Sequence, residues 1–343
     1  MKQVSVIILN WNGARLLRQY LPSVIEHTDA NLADIIVADN GSTDNSLQVL
    51  SEEFPSVRII PFAENLGFAE GYNQAITQCE TPLVLLLNDD VAVTQGWLEP
   101  MVNYLNSHEE VVAVQPKLKS DRNRSQFEYA GAAGGYLDRH GYPFCRGRIF
   151  DTTEEDQGQY DDERPIMWAT GACLLVRREE YLKAGGLDKH FFAHMEEIDL
   201  CWRLRRMGWQ LACVPSSVVY HYGGGSLAMG SPRKTMLNFR NSLLMLHKNL
   251  PTERRHSVIR QRKFLDYVAM LNFLLHGELQ QVKAIHQAHR EAKKMIRTIY
   301  NSESPNQIYS KSFAESPLFP EERISILLSY YIYRNKKYSQ LKK

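Results

Sequence analysis

The chain is predicted to fold as an α/β protein: a mostly parallel sheet with flanking helices, followed by a C-terminal helical extension. Three observations predict it. Short apolar runs alternate with amphipathic stretches from the N-terminus onward. Polar, amide-rich or acidic clusters stand where those runs end. Beyond Pro232 the pattern becomes helical and strongly basic.

Residues 4–9 (VSVIIL) form a first strand, ended by the turn-prone Asn10-Trp11-Asn12-Gly13. Leu16, Leu17, Tyr20, Leu21 and Val24 then recur at helical spacing from Ala14 to about His27. A second strand at 35–38 ends on Asp39-Asn40-Gly41-Ser42. A helix over 44–54 follows, with Ser42, Thr43 or Asp44 as its N-cap. A third strand (57–61) and a helix (68–79) lead to 83–87, LVLLL, an apolar run expected to be buried on both faces. From Val111 the pattern is less regular, and 120–165, rich in Gly, Asp, Arg and Tyr, reads as a long loop region with few core positions. Order returns at 167–171 and in a strand at 172–176, and helices are expected over 237–248 and 258–299.

The bulk properties bound the function. A chain of 343 residues, 44% hydrophobic and 23% charged, has the composition of a globular protein with one large core or two modest ones. Its five cysteines are odd in number and form no C-x-x-C, so buried reduced thiols are expected rather than disulfides or a zinc ribbon. The N-terminus enters a strand at once and lacks a signal-peptide pattern, which predicts a cytoplasmic protein. The net charge of +1 hides an asymmetry: residues 233–343 hold 21 Lys and Arg against 8 Asp and Glu, leaving 19 against 31 before them. Such a tail suits an anionic surface. Its cations are scattered through apolar helices without a recognised nucleic-acid module, so the anionic face of a membrane is the expected partner, and nucleic acid is not. No run reaches the roughly 18–20 apolar residues of a membrane span. The best candidate, 324–333, is about half that length and, with Arg334, Lys336 and Lys337 behind it, is either an interfacial helix or a packed terminal one.

In parallel sheets ligands bind beyond the carboxyl ends of the strands, where Asn10–Asn12, Asp39–Ser42 and Asn88–Asp90 all stand. Two carboxylates after the most apolar strand suit Mg²⁺ or Mn²⁺ bridged to phosphate oxygens. Neighbours on an extended segment point opposite ways, so one Asp is expected to bind metal and the other sugar or backbone. Taken singly, such a pair is more often an acidic turn. Asp39 could accept from a pyrimidine N3–H or a ribose hydroxyl. Glu196, Glu197 and Asp199 stand where a helix should begin, which the helix dipole alone would favour, yet a carboxylate there could also act as a general base. His221 closes a strand before Gly223-Gly224-Gly225, where imidazole could complete a cation's shell and backbone could approach a ligand.

In their order, these residues resemble glycosyltransferase family 2 over roughly residues 3–230. The first strand with Leu9, Asn10 and Trp11, the Asp39–Asp44 DNGSTD element, and the N-x-G-x-x-x-G-x-N segment of Asn65, Gly67 and Asn73 look like its nucleotide-sugar site. Asn88-Asp89-Asp90 stands at its D-x-D, and Glu196-Glu197-Ile198-Asp199 at its E-D-x-D-like element. The resemblance implies a GT-A fold, a nucleotide-sugar donor contacted also by Asn88 and Asp89, and metal held by Asp90 and His221. It further implies acceptor contacts at Trp168, Thr170 and Gly171, and inverting transfer with Glu197 as base. Domain limits follow as 1–115 for the donor half, 116–232 for the acceptor and catalytic half, and 233–343 for the basic extension. Two departures stand out. Asn88 replaces the first Asp, and Glu197 the usual Asp, which leaves Glu196 as the alternative base. The set is most similar to the bacterial rhamnosyltransferase-like branch, which implies a UDP- or dTDP-sugar, a lipid-linked or saccharide acceptor in polysaccharide or glycolipid assembly, and peripheral contact with the inner membrane face.

A nicotinamide-dependent oxidoreductase would carry G-x-G-x-x-G after its first strand, and Asn10–Arg15 lacks it. The competing reading is a catalytically silent nucleotide-sugar-binding or scaffolding subunit, which the Asn88 and Glu197 departures would suit.

Overall fold

The computed structural model describes residues 2–223, 230–300 and 319–341. Its first part runs β1 (Val4–Asn10), α1 (Ala14–His27), β2 (Ala33–Asp39), α2 (Ser46–Glu53), β3 (Arg58–Pro61), α3 (Gly67–Thr77), β4 (Leu83–Asn88), β5 (Val91–Val93), α4 (Glu99–Ser107) and β6 (Val111–Ser120). Four short strands follow: β7 (Gly135–Leu137), β8 (Pro143–Cys145), β9 (Arg148–Ile149) and β10 (Thr152–Thr153). Then come β11 (Arg164–Pro165), β12 (Cys173–Arg177), α5 (Arg178–Lys183), α6 (Glu196–Arg206), β13 (Gln210–His221), α7 (Pro232–Asn249), α8 (Thr252–Leu275) and α9 (Leu279–Met295).

Among the described residues the central sheet has nine strands, in the order β11-β13-β6-β12-β4-β1-β2-β3, with β5 paired to β13. The expected parallel alternation holds from β1 to β4: β1 pairs parallel with β2 and β4, and β2 with β3. β12 enters antiparallel between β4 and β6, and β6 in turn runs parallel to β13. One sheet therefore crosses the 115/116 boundary. Leu83–Leu87 is buried on both faces, as its lack of alternation requires. One core layer holds Ile7, Ile36, Tyr72 and Leu86, and the other holds Leu17, Leu21, Leu85 and Trp97. All five cysteines are free and buried.

Two stretches differ from their sequence reading. Residues 120–165 are not a loop without a core: β7 to β10 form a four-stranded antiparallel sheet, and Phe127, Tyr136, Phe144 and Ile149 are buried. Strands of two or three residues are too short to show a period. The helix expected over 258–299 is two, broken at Gly277, whose φ of +76° is strained for other residues. The C-terminal segment packs on the small sheet: Ile326 N–H donates to Asp138 at 3.1 Å, and Tyr338 N–H to Glu154 at 2.9 Å. No helix among the described residues is long and apolar enough to cross a membrane.

Candidate active site

The parallel register of β1, β2 and β4 puts Asn10 opposite Asp39 and Leu9 opposite Asn88. Three clusters far apart in sequence thus share one sheet edge. Asn10 Nδ2 donates to Asp39 Oδ1 at 2.8 Å and to Ser42 Oγ at 3.1 Å, while Ser42 N–H donates to Asp39 Oδ2 at 3.0 Å. Asn12 Oδ1 accepts from the Thr43 and Asp44 amides. Asp44 accepts from Ala14 N–H at 3.1 Å and Ser46 N–H at 3.0 Å, serving the first turns of α1 and α2 together. Gly13 gives these side chains room at the start of α1: a Cβ there would sit 2.4 Å from Asn10 Oδ1 and 2.7 Å from Asp89 Oδ2, so a larger residue would have to displace them. Trp11 stands exposed at the mouth.

Asp89 and Asp90 turn out of β4 into different surroundings. Burial, and then the charge of Asp90, push the Asp89 carboxyl up to about 7. Burial also works against an ionised Asp90, but His221 outweighs it and holds that carboxyl below its usual range. His221, the last residue of β13, places Nε2 at 3.0 Å from Asp90 Oδ1 and 3.4 Å from Asn88 Nδ2. Its Nδ1 faces Glu128 Oε2 at 3.4 Å. Burial disfavours the imidazolium, yet Glu128 and Asp90 together raise its pKa well above the ordinary value. Glu128 has no motif around it in the sequence, and only the fold brings it here. The glycines expected to approach a ligand after His221, Gly224 and Gly225, lie outside the described residues.

The third component is the start of α6, reached through a backbone turn with Phe192, His194 and Met195 at φ of +66°, +71° and +72°. Non-glycine residues hold such angles only where the surroundings over-determine them. Here Asn241 of α7 does so: its buried Nδ2 lies 3.0, 2.9 and 2.8 Å from the carbonyl oxygens of Phe191, Ala193 and His194. Arg240 reaches Phe191 O as well, at 3.0 Å. The signal for Asn241 was a polar residue on the Leu237–Leu244 core-facing stripe of its helix. The three acids of this segment then diverge. Asp199 is fully buried and held by Arg203, Lys248 and Asn249 at 2.7–2.8 Å, so it ties α6 to α7. Glu197 lies beside Gly171, where a Cβ would be 3.6 Å from its own Cβ. Burial raises its carboxyl to about 7. Glu196 is more deeply buried, and burial together with the charge of Glu197 raises it well above the ordinary value.

The remaining predicted residues divide. Gly67, at φ +80°, packs on the Phe192 ring, and Phe68 N–H donates to Phe192 O at 3.1 Å, which docks the start of α3 on the strained turn. Asn65 Oδ1 accepts from Gly67 N–H at 2.8 Å and from Asn40 at 3.1 Å. Asn73 is committed to the turn before α6: it donates to Leu187 O at 2.7 Å and accepts from Leu187 N–H and Tyr181 Oη. Trp168 is buried with Nε1–H on Tyr136 O at 2.9 Å, and buried Thr170 bonds through its backbone to Gln115, so of the three acceptor candidates Gly171 is the one beside Glu197.

Buried polar atoms without a partner include Asn10 Oδ1 at this edge and Glu196 Oε2 and Glu197 Oε2 at the start of α6. Buried polar groups are ordinarily satisfied, so unpartnered ones beside these strand ends fit a bound ligand. A carboxylate and an imidazole facing one another are suitable donors for Mg²⁺ or Mn²⁺. Among the described residues no three His, Cys, Asp or Glu side chains form a cage, so a cation here would be completed by water or ligand oxygens.

The family model for glycosyl transferase family 2 matches residues 5–180, more than half of the chain. The chain belongs to glycosyl transferase family 2. This glycosyltransferase is 28% identical over 233 residues to the N-acetylglucosaminyl-diphospho-decaprenol L-rhamnosyltransferase of Mycobacterium tuberculosis, across 63% of this chain and 75% of that one. It is 25% identical over 210 residues to the rhamnosyltransferase WbbL of Escherichia coli K12, across 59% and 78%. Among solved structures, GalNAc-T7 with UDP, GalNAc and Mn²⁺ superposes with a TM-score of 0.56 at 16% identity over 72% of this chain, which spans about half (48%) of that one. The mannosyltransferase PcManGT of Pyrobaculum calidifontis, with GDP-Man and Mn²⁺, gives 0.53 at 15% over 88% and 80%. At such identities the likeness establishes the GT-A fold. Glu197 and His221 lie beyond the residues that the family model matches.

Proposed function

We propose that this glycosyltransferase is an inverting, metal-dependent enzyme of polysaccharide or glycolipid assembly, moving a hexosyl group from a UDP- or dTDP-sugar to an acceptor hydroxyl. One observation carries the reading: Asp39 and the Asp90–His221 pair stand at one sheet edge, and Glu197 packs beside Gly171, whose neighbour Ala172 accepts from Asn88 N–H at that edge. Asn10, Asp39 and the Ser42 amide hold the nucleoside, and Asn65 and Gly67 shape its wall. Asn88 and Asp89 flank the diphosphate. Asp90 and His221 are the residues that would hold a divalent cation, which when bound would take up charge developing on the leaving diphosphate. Glu197, with a carboxyl raised toward neutrality and one oxygen unpartnered, is suited to take the acceptor proton, and Glu196 is the alternative base. The acceptor oxygen would enter past Gly171 and attack the anomeric carbon opposite the nucleotide. The Mycobacterium tuberculosis relative, named for a diphospho-decaprenol and L-rhamnose, supports a lipid-linked acceptor and a rhamnosyl donor, and with them a place on the inner membrane face.

A screen of UDP-, GDP- and dTDP-sugars with Mn²⁺ tests the reading, with the anomeric configuration of the product read by NMR. A product of inverted configuration from a UDP- or dTDP-sugar is expected. Retention, or turnover only without metal, contradicts it. Donor binding without turnover on any acceptor would instead favour the silent subunit.

A further inference from the structure

Helix α8 lies inside out. Its buried positions are Val258, Arg262 and Asp266. Arg262 pairs with Asp266 at 3.0 Å, His289 of α9 meets the other oxygen of that carboxylate at 2.9 Å, and the guanidinium stacks on Tyr142 at 3.8 Å. The opposite face carries Phe264, Tyr267, Val268, Leu271, Leu274 and Leu275, a single stripe at helical spacing. All six are at least half exposed, Phe264 to 67% and Leu275 to 77%. A helix on a globular surface ordinarily turns such a stripe inward and its charges outward, so the reversed arrangement fits an environment in which the stripe is covered.

The stripe does not end with α8. An apolar groove of about 500 Å³ joins Phe264 and Leu265 to Leu327 and Leu328 of the C-terminal segment. Beyond it Tyr331, Ile332 and Tyr333 are exposed to 60–68%. The rim is cationic: Arg139 and Arg260 line the groove, Lys263 follows on α8, and Arg334, Lys336 and Lys337 succeed the tyrosines, with no acid after Glu322. Exposed Leu and Phe, tyrosines and cations on one face are the composition of a surface that lies in a headgroup layer. A second copy of this chain would set cation against cation.

We propose that this face of α8, with the segment from Leu327 to Lys337, is the docking surface for an anionic lipid bilayer. It rests on, and gives a location to, the membrane placement proposed above. It also has a consequence for the site, since α7 packs on both α8 and α6 and carries the Asn241 that holds the turn before Glu197. A bilayer under α8 is thus one helix away from the acceptor side.

Sedimentation of the full chain with phosphatidylcholine–phosphatidylglycerol vesicles, against phosphatidylcholine alone, tests it. Binding to the anionic vesicles is expected, weakened about tenfold or more by the double substitution Leu271→Glu with Leu275→Glu and, in a salt-dependent way, by Arg334→Glu with Lys336→Glu and Lys337→Glu. Thermal melting and transfer to a soluble acceptor should stay unchanged in both, because these side chains are exposed and outside the site. Binding that both variants retain, or none by the unaltered chain, overturns the proposal. So does a concentration-dependent dimer in ultracentrifugation that Leu271→Glu with Leu275→Glu dissolves, or vesicle binding that emerges only on deleting residues 301–318. Vesicle binding without transfer would leave the surface standing and sink the enzymatic reading instead.

Discussion

His221 Nε2 lies 3.0 Å from Asp90 Oδ1, joining the end of β13 to the turn after β4. Glu128 closes the other side of the ring at 3.4 Å. The imidazole therefore has a carboxylate at each nitrogen, and were Nε2 to ligate a cation beside Asp90, Glu128 would still orient the ring through Nδ1–H, the usual partner of a metal-bound histidine.

Asp90→Ala should abolish Mn²⁺-dependent donor binding, read by titration calorimetry with UDP and metal, while the protein still melts cooperatively. Glu128→Gln keeps the shape but removes the charge facing Nδ1. It should weaken Mn²⁺ binding about 10- to 100-fold, the usual effect of losing such a partner. Unchanged affinity in the Gln variant would show that Glu128 only fills space.

Glu197→Gln should lower turnover about 10²- to 10⁴-fold with donor affinity intact, and Glu196→Gln should do less. Reversed effects would assign the base to Glu196. Turnover of the unaltered enzyme should rise with pH through about 7, because burial holds the Glu197 carboxyl protonated below that.

The same shift has a signed effect on stability. Folded Glu197 has its pKa raised above the unfolded value, so between the two the folded state binds more protons, and stability falls as pH rises toward about 7. Glu197→Gln should flatten that part of a melting-temperature profile. An unchanged slope would mean that the carboxyl is not raised.

Asn241→Leu removes the donor for three carbonyls of a strained turn. A loss of about 1–3 kcal/mol in stability is expected, with turnover falling further than donor affinity, since it is the placement of Glu197 that loosens. Equal losses in turnover and donor affinity would point to a general structural role.

Lys248→Met leaves Asp188 and Asp199 without their shared cation, which lies 2.6 and 2.8 Å from them. Denaturant unfolding should register a loss on the order of 3 kcal/mol, the low end for breaking a buried pair, because Asp199 keeps Arg203 and Asn249.

The shared sheet edge of the first strands was legible in the sequence. Asn10, Asp39 and Asn88 follow apolar runs directly, and parallel pairing leaves such residues at one edge whatever the rest of the chain does. Asp199 was legible as an acid at a helix start but not as the one turned inward, because helical phase against α7 decides that. Asn73 fitted its motif, yet its amide is occupied by the turn at Leu187.

The sequence by itself determined the alternating α/β architecture, the family, and the strand-end positions of the nucleotide and metal candidates, all features written in runs of a few adjacent residues. Only the tertiary structure decided that Glu128 closes the far side of His221, that Asn241 holds the turn before Glu197, and that α8 shows its apolar side to the exterior. Each depends on packing between elements distant in sequence, and local periodicity carries no record of which face of a helix or which loop residue will find its partner.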